Sequence, residues 1–136
     1  MTLPTPFTAD QIRAGCPDGR TVRTSDGSGT ISVSRFAGGD DDGATLESWT
    51  EEPDGDTTSD TVRTRVTWRQ LQLHAAFPAD GTTVSQEAIR TPLGELECAR
   101  YDVDGMTFWF DTHRPGMPVR YGTPGSMRTM VGDSRE

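Results

Sequence analysis

Two histidines and two cysteines are the side chains of this sequence best suited to catalytic chemistry. His74 lies in a segment with a helical pattern, and His113 follows an apolar stretch, Phe108–Phe110, just before Pro115. Either histidine could act as a general base toward Cys98 or a carboxylate, since such partners meet in space and not in sequence. No G-x-S-x-G motif marks a serine nucleophile. A small enzyme using His74 or His113 is therefore one hypothesis, although a structural role for both histidines is favoured.

Other sequence motifs argue against cofactor and metal chemistry. Neither G-x-G-x-x-G nor G-x-x-x-x-G-K-[ST] occurs, and the sequence contains no lysine, so a nucleotide-binding site is not expected. The acidic stretches Asp40–Gly43 and Asp54–Asp56 do not follow the spacing of a calcium-binding EF-hand loop. Cys16 and Cys98 form no C-x-x-C pair, and we expect two reduced thiols. We predict no cofactor and no bound metal.

The length and charge of the chain limit its class and its partners. The chain has 136 residues, which predicts one domain over 1–136, and its net charge is −8. This charge disfavours nucleic acid and anionic membranes as partners, but it suits an inhibitor or immunity-type protein that binds a basic partner. No apolar run reaches the roughly 20 residues that span a bilayer. The N-terminus does not resemble a signal peptide, which predicts a cytoplasmic location without a membrane span.

Six Asp-Gly dipeptides separate stretches rich in threonine and valine. Asp-Gly favours tight turns, because glycine and, less readily, aspartate accept a positive φ. The pattern predicts an antiparallel meander of about seven or eight strands, with Ser126–Val131 either adding one more strand or fraying. The other predicted strands are Arg20–Ser25, Thr30–Phe36, Ala44–Glu51, Thr57–Val66, Thr82–Thr91, Glu97–Val103, Met106–Thr112 and Val119–Gly122.

Two segments have helical rather than strand periodicity. Thr8 and Gln11 fit a capping box at the start of a short helix that ends at Gly15. Thr67 is suited to cap a longer helix, Trp68–Ala76, whose apolar side would pack across the sheet. We therefore predict an α+β fold that is rich in β-structure: a curved antiparallel half-barrel with one or two helices packed on it.

Aromatic side chains are the most suggestive feature for function. Phe108 and Phe110 alternate with Trp109, so the predicted strand presents large apolar groups on both of its faces. A curved sheet covered by a helix can leave an apolar cleft between them. We predict a non-catalytic binding module whose concave face binds a hydrophobic small molecule or a protein segment. The residues expected to line that face are Leu71, Phe77, Phe108, Trp109 and Phe110.

The segment from Thr67 to Tyr121 also suggests a family. It contains a Thr-Trp-Arg-Gln-Leu helix start, the Thr91-Pro92-Leu93-Gly94 strand entry and the Phe108-Trp109-Phe110 strand. This pattern resembles actinobacterial-type domains that are distantly similar to the LolA-like lipoprotein-carrier half-barrels. The resemblance implies a strongly curved antiparallel sheet that wraps helices around an apolar cavity for acyl chains. It implies no catalytic residues.

Overall fold

The computed structural model describes residues 2–135 as one antiparallel sheet with two short helices. The nine strands found in this range exceed the seven or eight that the sequence predicts. In chain order the elements are α1 (Ala9–Gly15), β1 (Arg20–Ser25), β2 (Ile31–Ala37), β3 (Gly43–Glu51), β4 (Val62–Thr67), α2 (Trp68–Leu73), β5 (Thr82–Thr91), β6 (Gly94–Val103), β7 (Met106–Asp111), β8 (Arg120–Thr123) and β9 (Ser126–Arg135).

The sheet consists of two meanders joined by the first and last strands. Its order is β4-β3-β2-β1-β9-β8-β7-β6-β5, and every neighbouring pair is antiparallel. The connection that contains α2 leads from the β4 edge to the β5 edge. Strand β5 also contacts β9, although three strands separate them in the sheet order, so this half of the sheet curls strongly. The predicted α+β class and the curved antiparallel sheet are confirmed.

The additional strand is the C-terminal one. The segment predicted to fray after Ser126 instead forms the ten-residue strand β9, which pairs with β8 on one side and β1 on the other. Its central position has a physical reason: the side chains of Met130 and Asp133 are buried, with Met130 in a hydrophobic cluster and Asp133 bound to Arg20. A segment that buries such groups at the sheet centre cannot fray without exposing them.

Two predicted elements are too long at one end, and the strand predicted to begin at Glu97 begins earlier, at Gly94. The predicted strand Thr57–Val66 begins only at Val62, because residues 52–61 turn back on β3, where Thr58 N–H donates to the carbonyl of Thr50. The helix predicted over Trp68–Ala76 ends at Leu73. After that residue the N–H groups of Ala75 and Ala76 donate to carbonyls three residues back, so the chain tightens and leaves the α-helix.

The Asp-Gly prediction holds best at the hairpin between β6 and β7. There Asp104 and Gly105 both have positive φ, 51° and 78°, as a tight two-residue hairpin turn requires. Asp42-Gly43 has a different role, since Gly43 is the first residue of β3. A Cβ at Gly43 would overlap the backbone of Val66 and Thr67 on β4, so this glycine allows the edge strand to approach.

Two hydrophobic clusters form the core. The first lies where the helices meet the sheet and includes Ile12, Phe36, Trp68, Phe77 and Phe110. The second includes Trp109 and Cys98 with aliphatic side chains from other strands. Phe110 and Trp109, neighbours on β7, therefore belong to different clusters, as the alternation of side chains along a strand predicts. The remaining buried members of the second cluster are Val22, Ile89, Leu96, Val119 and Met130.

A buried ionic network joins the two meanders. Arg20, at the start of β1, has a side chain that is 1% exposed and binds Asp133 of β9 through two hydrogen bonds of 3.0 and 3.1 Å. Arg114 donates to Asp133 at 2.7 Å and to Asp111, the last residue of β7, at 3.0 Å. Two carboxylates thus face two guanidinium groups, which balances the charge inside the protein.

The same arginine also binds the end of α1 and the loop before β8. One Nη atom of Arg20 donates to the carbonyl of Gly15 at 2.9 Å and to that of Pro115 at 2.6 Å, and it contacts the thiol of Cys16 at 3.2 Å. Burial alone would lower the pKa of Arg20, but the hydrogen bond and charge of Asp133 outweigh burial, and the pKa is raised. Arg20 is therefore permanently charged, and its hydrogen bonds link α1, the loop before β8 and the sheet.

Replacing Arg20 with methionine should strongly destabilise the protein, because Asp133 would lose its main partner while staying buried. We expect Arg20→Met to lower the free energy of unfolding by about 3–5 kcal/mol, the usual cost of breaking a buried ion pair. Urea unfolding followed by tryptophan fluorescence measures this difference. Arg63→Met is the matched control, since Arg63 pairs with Glu47 in a largely exposed bridge and should cost less than about 1 kcal/mol. Equal losses for both variants would contradict the role given to Arg20.

Acid should weaken the same network through Asp133. Burial alone would raise the pKa of this carboxyl, but the hydrogen bonds and charges of Arg20 and Arg114 outweigh it, and the pKa is lowered. A carboxyl with a lowered pKa in the folded state stabilises the fold above its unfolded pKa, about 3.9, and loses this contribution as the pH falls toward the folded value.

We therefore expect Asp133→Asn to flatten the fall in unfolding free energy below about pH 4, while lowering stability at neutral pH. Urea titrations over a pH series measure both effects. The control is Asp60→Asn at an exposed loop position, which should leave the pH profile unchanged. If the unfolding free energy of Asp133→Asn fell as steeply below about pH 4 as that of the wild type, Asp133 would not be the group through which acid weakens the network.

Candidate functional site

An apolar cavity of about 310 Å³ lies between α2 and the sheet. Strands β2, β3, β4 and β7, the helix and the loop before β8 all contribute to its wall. Most of that wall is aromatic or aliphatic, and its principal apolar members are Phe36, Leu46, Val66, Leu71, Phe108 and Phe110. Polar groups in the wall come from Thr24, His74 and Tyr121.

Helix α2 is held in place by its N-terminal residues. Thr67 accepts from the N–H of Gln70, so the predicted cap is confirmed, and the side chain of Gln70 accepts from the N–H of Thr67, which completes a capping box. Trp68 is buried, its ring stacks on Phe36 with centroids 6.4 Å apart, and its Nε1–H donates to the carbonyl of Asp40 at 2.8 Å. These contacts fix the start of the helix and thereby aim Leu71 at the cavity.

The acidic loop at Asp40–Gly43 serves this helix rather than a metal. The side chain of Asp40 accepts from the N–H groups of Asp42 and Gly43, and the pKa of Asp40 is lowered mainly by these two backbone hydrogen bonds. The carbonyl of Asp42 accepts from the N–H of Trp68. Within residues 2–135, no group of three or more His, Cys, Asp or Glu side chains is arranged to hold a metal ion.

The floor of the cavity is a set of packed aromatic rings. Phe77 lies behind the floor, with ring centroids 5.0 Å from Phe108 and 5.1 Å from Tyr101. On the cavity side, Tyr121 of β8 stacks almost parallel on Phe108, its partner in the β7–β8 register. Because Phe108 is held between Phe77 and Tyr121, the floor is preformed rather than assembled by a ligand.

Three of the five predicted binding residues line this cavity. Leu71, Phe108 and Phe110 do so, whereas Phe77 is buried beneath Phe108 as a supporting ring. Trp109 lies in the second hydrophobic cluster and does not line the cavity. Three further residues line the cavity without having been predicted from the sequence: Phe36 and Leu46, which face each other across β2 and β3, and Tyr121 on β8.

Trp109 instead packs between two arginines of the neighbouring strands. Arg100 of β6 and Arg120 of β8 flank it in register, with guanidinium carbons 5.2 and 5.8 Å from the ring centroid. Arg100 is in turn held by Glu87 at 2.7 Å and by Asp102 at 3.0 Å. Hydrogen bonding from Arg100 is the main cause of the lowered pKa of Asp102. The contacts of Trp109, Arg100 and Arg120 with one another and with Glu87 and Asp102 stabilise the surface formed by β6, β7 and β8.

The structure separates the groups considered for catalysis. His74 lines the cavity, while His113 is 82% exposed outside it, with Nδ1 3.6 Å from Asp111, a carboxylate already bound to Arg114. Cys98 is buried in the second cluster, where burial, and next the charge of Asp111, raises its pKa to about 11. Cys98 is therefore a neutral thiol at physiological pH and a poor nucleophile. No disulfide joins it to Cys16, which packs in the first cluster.

No protein-family model, curated protein or solved structure matches this chain. The resemblance to LolA-like half-barrels therefore rests on the quoted residues alone, and the function it implies stays a hypothesis. Among residues 2–135, none of the helices has the length and apolar character needed to cross a bilayer.

Cys98 should resist alkylation in the folded protein. A pKa of about 11 instead of the ordinary 9.0 leaves about a hundredfold less thiolate at neutral pH, and burial blocks the reagent as well. We expect iodoacetamide to modify Cys98 at least a hundredfold more slowly in the native protein than in urea, as measured by peptide mass spectrometry. Rapid native labelling of Cys98 would restore the hypothesis that it is a nucleophile.

Proposed function

We propose that this protein binds a small apolar ligand in the cavity between α2 and the sheet. The observation that carries the proposal is the cavity itself, about 310 Å³ and walled mainly by aromatic and aliphatic side chains. Ligand pockets commonly enclose roughly 300–1,000 Å³ with an apolar lining and a few polar groups. The volume is at the lower end of that range, which favours a small molecule or a single acyl chain over a protein segment.

Two physical properties of the cavity favour a ligand-binding role over an unfilled gap in the packing. The space is partly open to solvent, so its apolar wall is in contact with water until a ligand covers it, and covering apolar surface is favourable. Phe77 and Tyr121 brace Phe108 from two sides, which keeps the floor from collapsing into the space. A preformed site of this kind loses little free energy to reorganisation when a ligand enters.

The chemistry of the wall favours binding over catalysis. Among the described residues that line the cavity, none is a carboxylate, an arginine or a cysteine, and the polar ones are Thr24, His74 and Tyr121. General acid–base or nucleophilic catalysis normally requires a second group that orients or activates the first. His74 has no such partner in the wall.

The alternative of an inhibitor or immunity-type protein for a basic partner is less well supported. Several carboxylates that contribute to the net charge of −8 are already bound by arginines of the same chain. Asp40 binds Arg65, for example, and Asp41 binds Arg13 at 2.7 Å. These carboxylates would have to leave their internal partners to bind a basic protein directly, while the net charge of −8, which already counts every arginine, stays the same.

Filling the cavity from α2 should abolish binding of a neutral apolar dye. Leu71 lines the cavity and Leu73, on the same helix, is 52% exposed and does not, so the two positions form a matched pair. We expect Nile red to bind the wild type saturably, Leu71→Trp to weaken binding at least tenfold, and Leu73→Trp to bind like the wild type. Dye fluorescence titration gives the three dissociation constants.

Folding of each variant is checked by urea unfolding. If Leu71→Trp is unfolded, Val66→Phe fills the same cavity from β4 and replaces it in the comparison. Absence of saturable binding to the wild type, or equal affinity of the cavity-filling variant and Leu73→Trp, would refute the proposed function.

A further inference from the structure

The polar part of the cavity wall contains a single group that can become positively charged. Thr24 and Tyr121 contribute hydroxyl groups, and His74 contributes an imidazole at the end of α2. The side chain of His74 is exposed, so it reaches both the cavity and solvent. An apolar space with one cationic group at a solvent-accessible position matches a ligand with an apolar body and one anionic end.

Few ionisable groups of the surrounding elements compete for His74. From β2, β3, β4, β7 and the loop before β8, the residues that line the cavity are Phe36, Leu46, Val66, Phe108, Phe110 and residues 116–118, which do not ionise. The ionisable residues of these elements do not line the cavity; they are Arg35, Glu47, Glu51, Arg63, Arg65, Asp111, His113 and Arg114. Strand β8 contributes Tyr121, whose hydroxyl can donate and accept hydrogen bonds. The charged residue of α2 is Arg69, and those of α1, which packs against α2, are Asp10 and Arg13. Arg13 is paired with Asp41.

We propose that the ligand of this cavity is an amphipathic molecule whose anionic head group binds protonated His74, so that its affinity rises as the pH falls. This inference rests on the proposed function. It names the ligand class as an acyl or alkyl anion, rather than a neutral hydrocarbon or alcohol.

The direction of the pH effect follows from charge. Histidine is the one side chain whose ordinary pKa, about 6.5, lies in the physiological range. A neutral imidazole offers no charge to the head group, and an anion entering a protein of net charge −8 meets overall repulsion. An imidazolium supplies a charge-assisted hydrogen bond to the head group, and the same ligand binds more tightly.

Octyl sulfonate and octanol test this inference with matched alkyl chains. The sulfonate keeps its charge from about pH 5.5 to about pH 8, so histidine is the titrating class in this range. We expect octyl sulfonate to bind the wild type roughly tenfold more tightly at the lower pH, and octanol to bind equally at both. Displacement of Nile red, or calorimetry where the dye competes poorly, gives the dissociation constants.

The two histidines provide a matched pair of variants. His74→Gln should remove the pH dependence of sulfonate binding, and octanol binding to this variant should stay independent of pH; glutamine is chosen because it is a good helix former at an exposed position. His113→Gln should retain the wild-type dependence, since His113 lies outside the cavity. The inference is overturned if sulfonate affinity does not change with pH, or if it changes equally in the wild type and in His74→Gln. In either case, octanol binding would still support the proposed function. If neither ligand nor the dye binds the wild type, both proposals fail.

Discussion

The ion pair between Arg20 and Asp133 is the constraint on which the architecture depends. It joins the first strand to the last one at the centre of the sheet, and both side chains are almost fully buried. Burying two charges is costly, and the cost is offset only when their geometry is good and their remaining hydrogen-bonding atoms are satisfied. Here Gly15, Pro115 and Arg114 provide those further bonds, so the network holds only if α1, the loop before β8 and both meanders are in place together.

This central connection determines where the cavity can form. With β1 and β9 paired, β4 and β5 become opposite edges of the sheet, and the chain between them must return past its face. Helix α2 lies on that return path and packs against α1, where the N–H of Ala9 donates to the side chain of Gln72. The cavity lies between this helix and the aromatic rows of β2 and β7. The ionic network and the proposed binding site are thus consequences of one topology.

The two faces of β7 have different roles: one stabilises the fold, and the other lines the proposed binding site. Phe108 and Phe110 face the helices and the cavity, while Trp109 packs between Arg100 and Arg120 in the second cluster. The prediction that all three residues line one binding face is therefore wrong for Trp109, because side chains alternate between the two faces of a strand. The indole N–H of Trp109 is buried without a hydrogen-bond partner. The packing of the ring between two cations and aliphatic side chains explains why no acceptor reaches this N–H, but it does not explain what compensates the free-energy cost of burying it.

Local chemistry in the sequence determined the capping boxes at Thr8 and Thr67, the hairpin turn at Asp104-Gly105, most of the strands and the apolar face of β7. Each depends on residues only a few positions apart, whose hydrogen bonds and dihedral preferences act whatever the rest of the chain does. Only the tertiary structure decided that β9 lies at the sheet centre, that Arg20 is buried, and that Phe36 and Leu46 meet Leu71 across the cavity. These features depend on which distant strands pair and in what register. Whether a side chain is buried, and whether its charge is compensated, depends on residues far away in the sequence, and periodicity along the chain does not specify those residues.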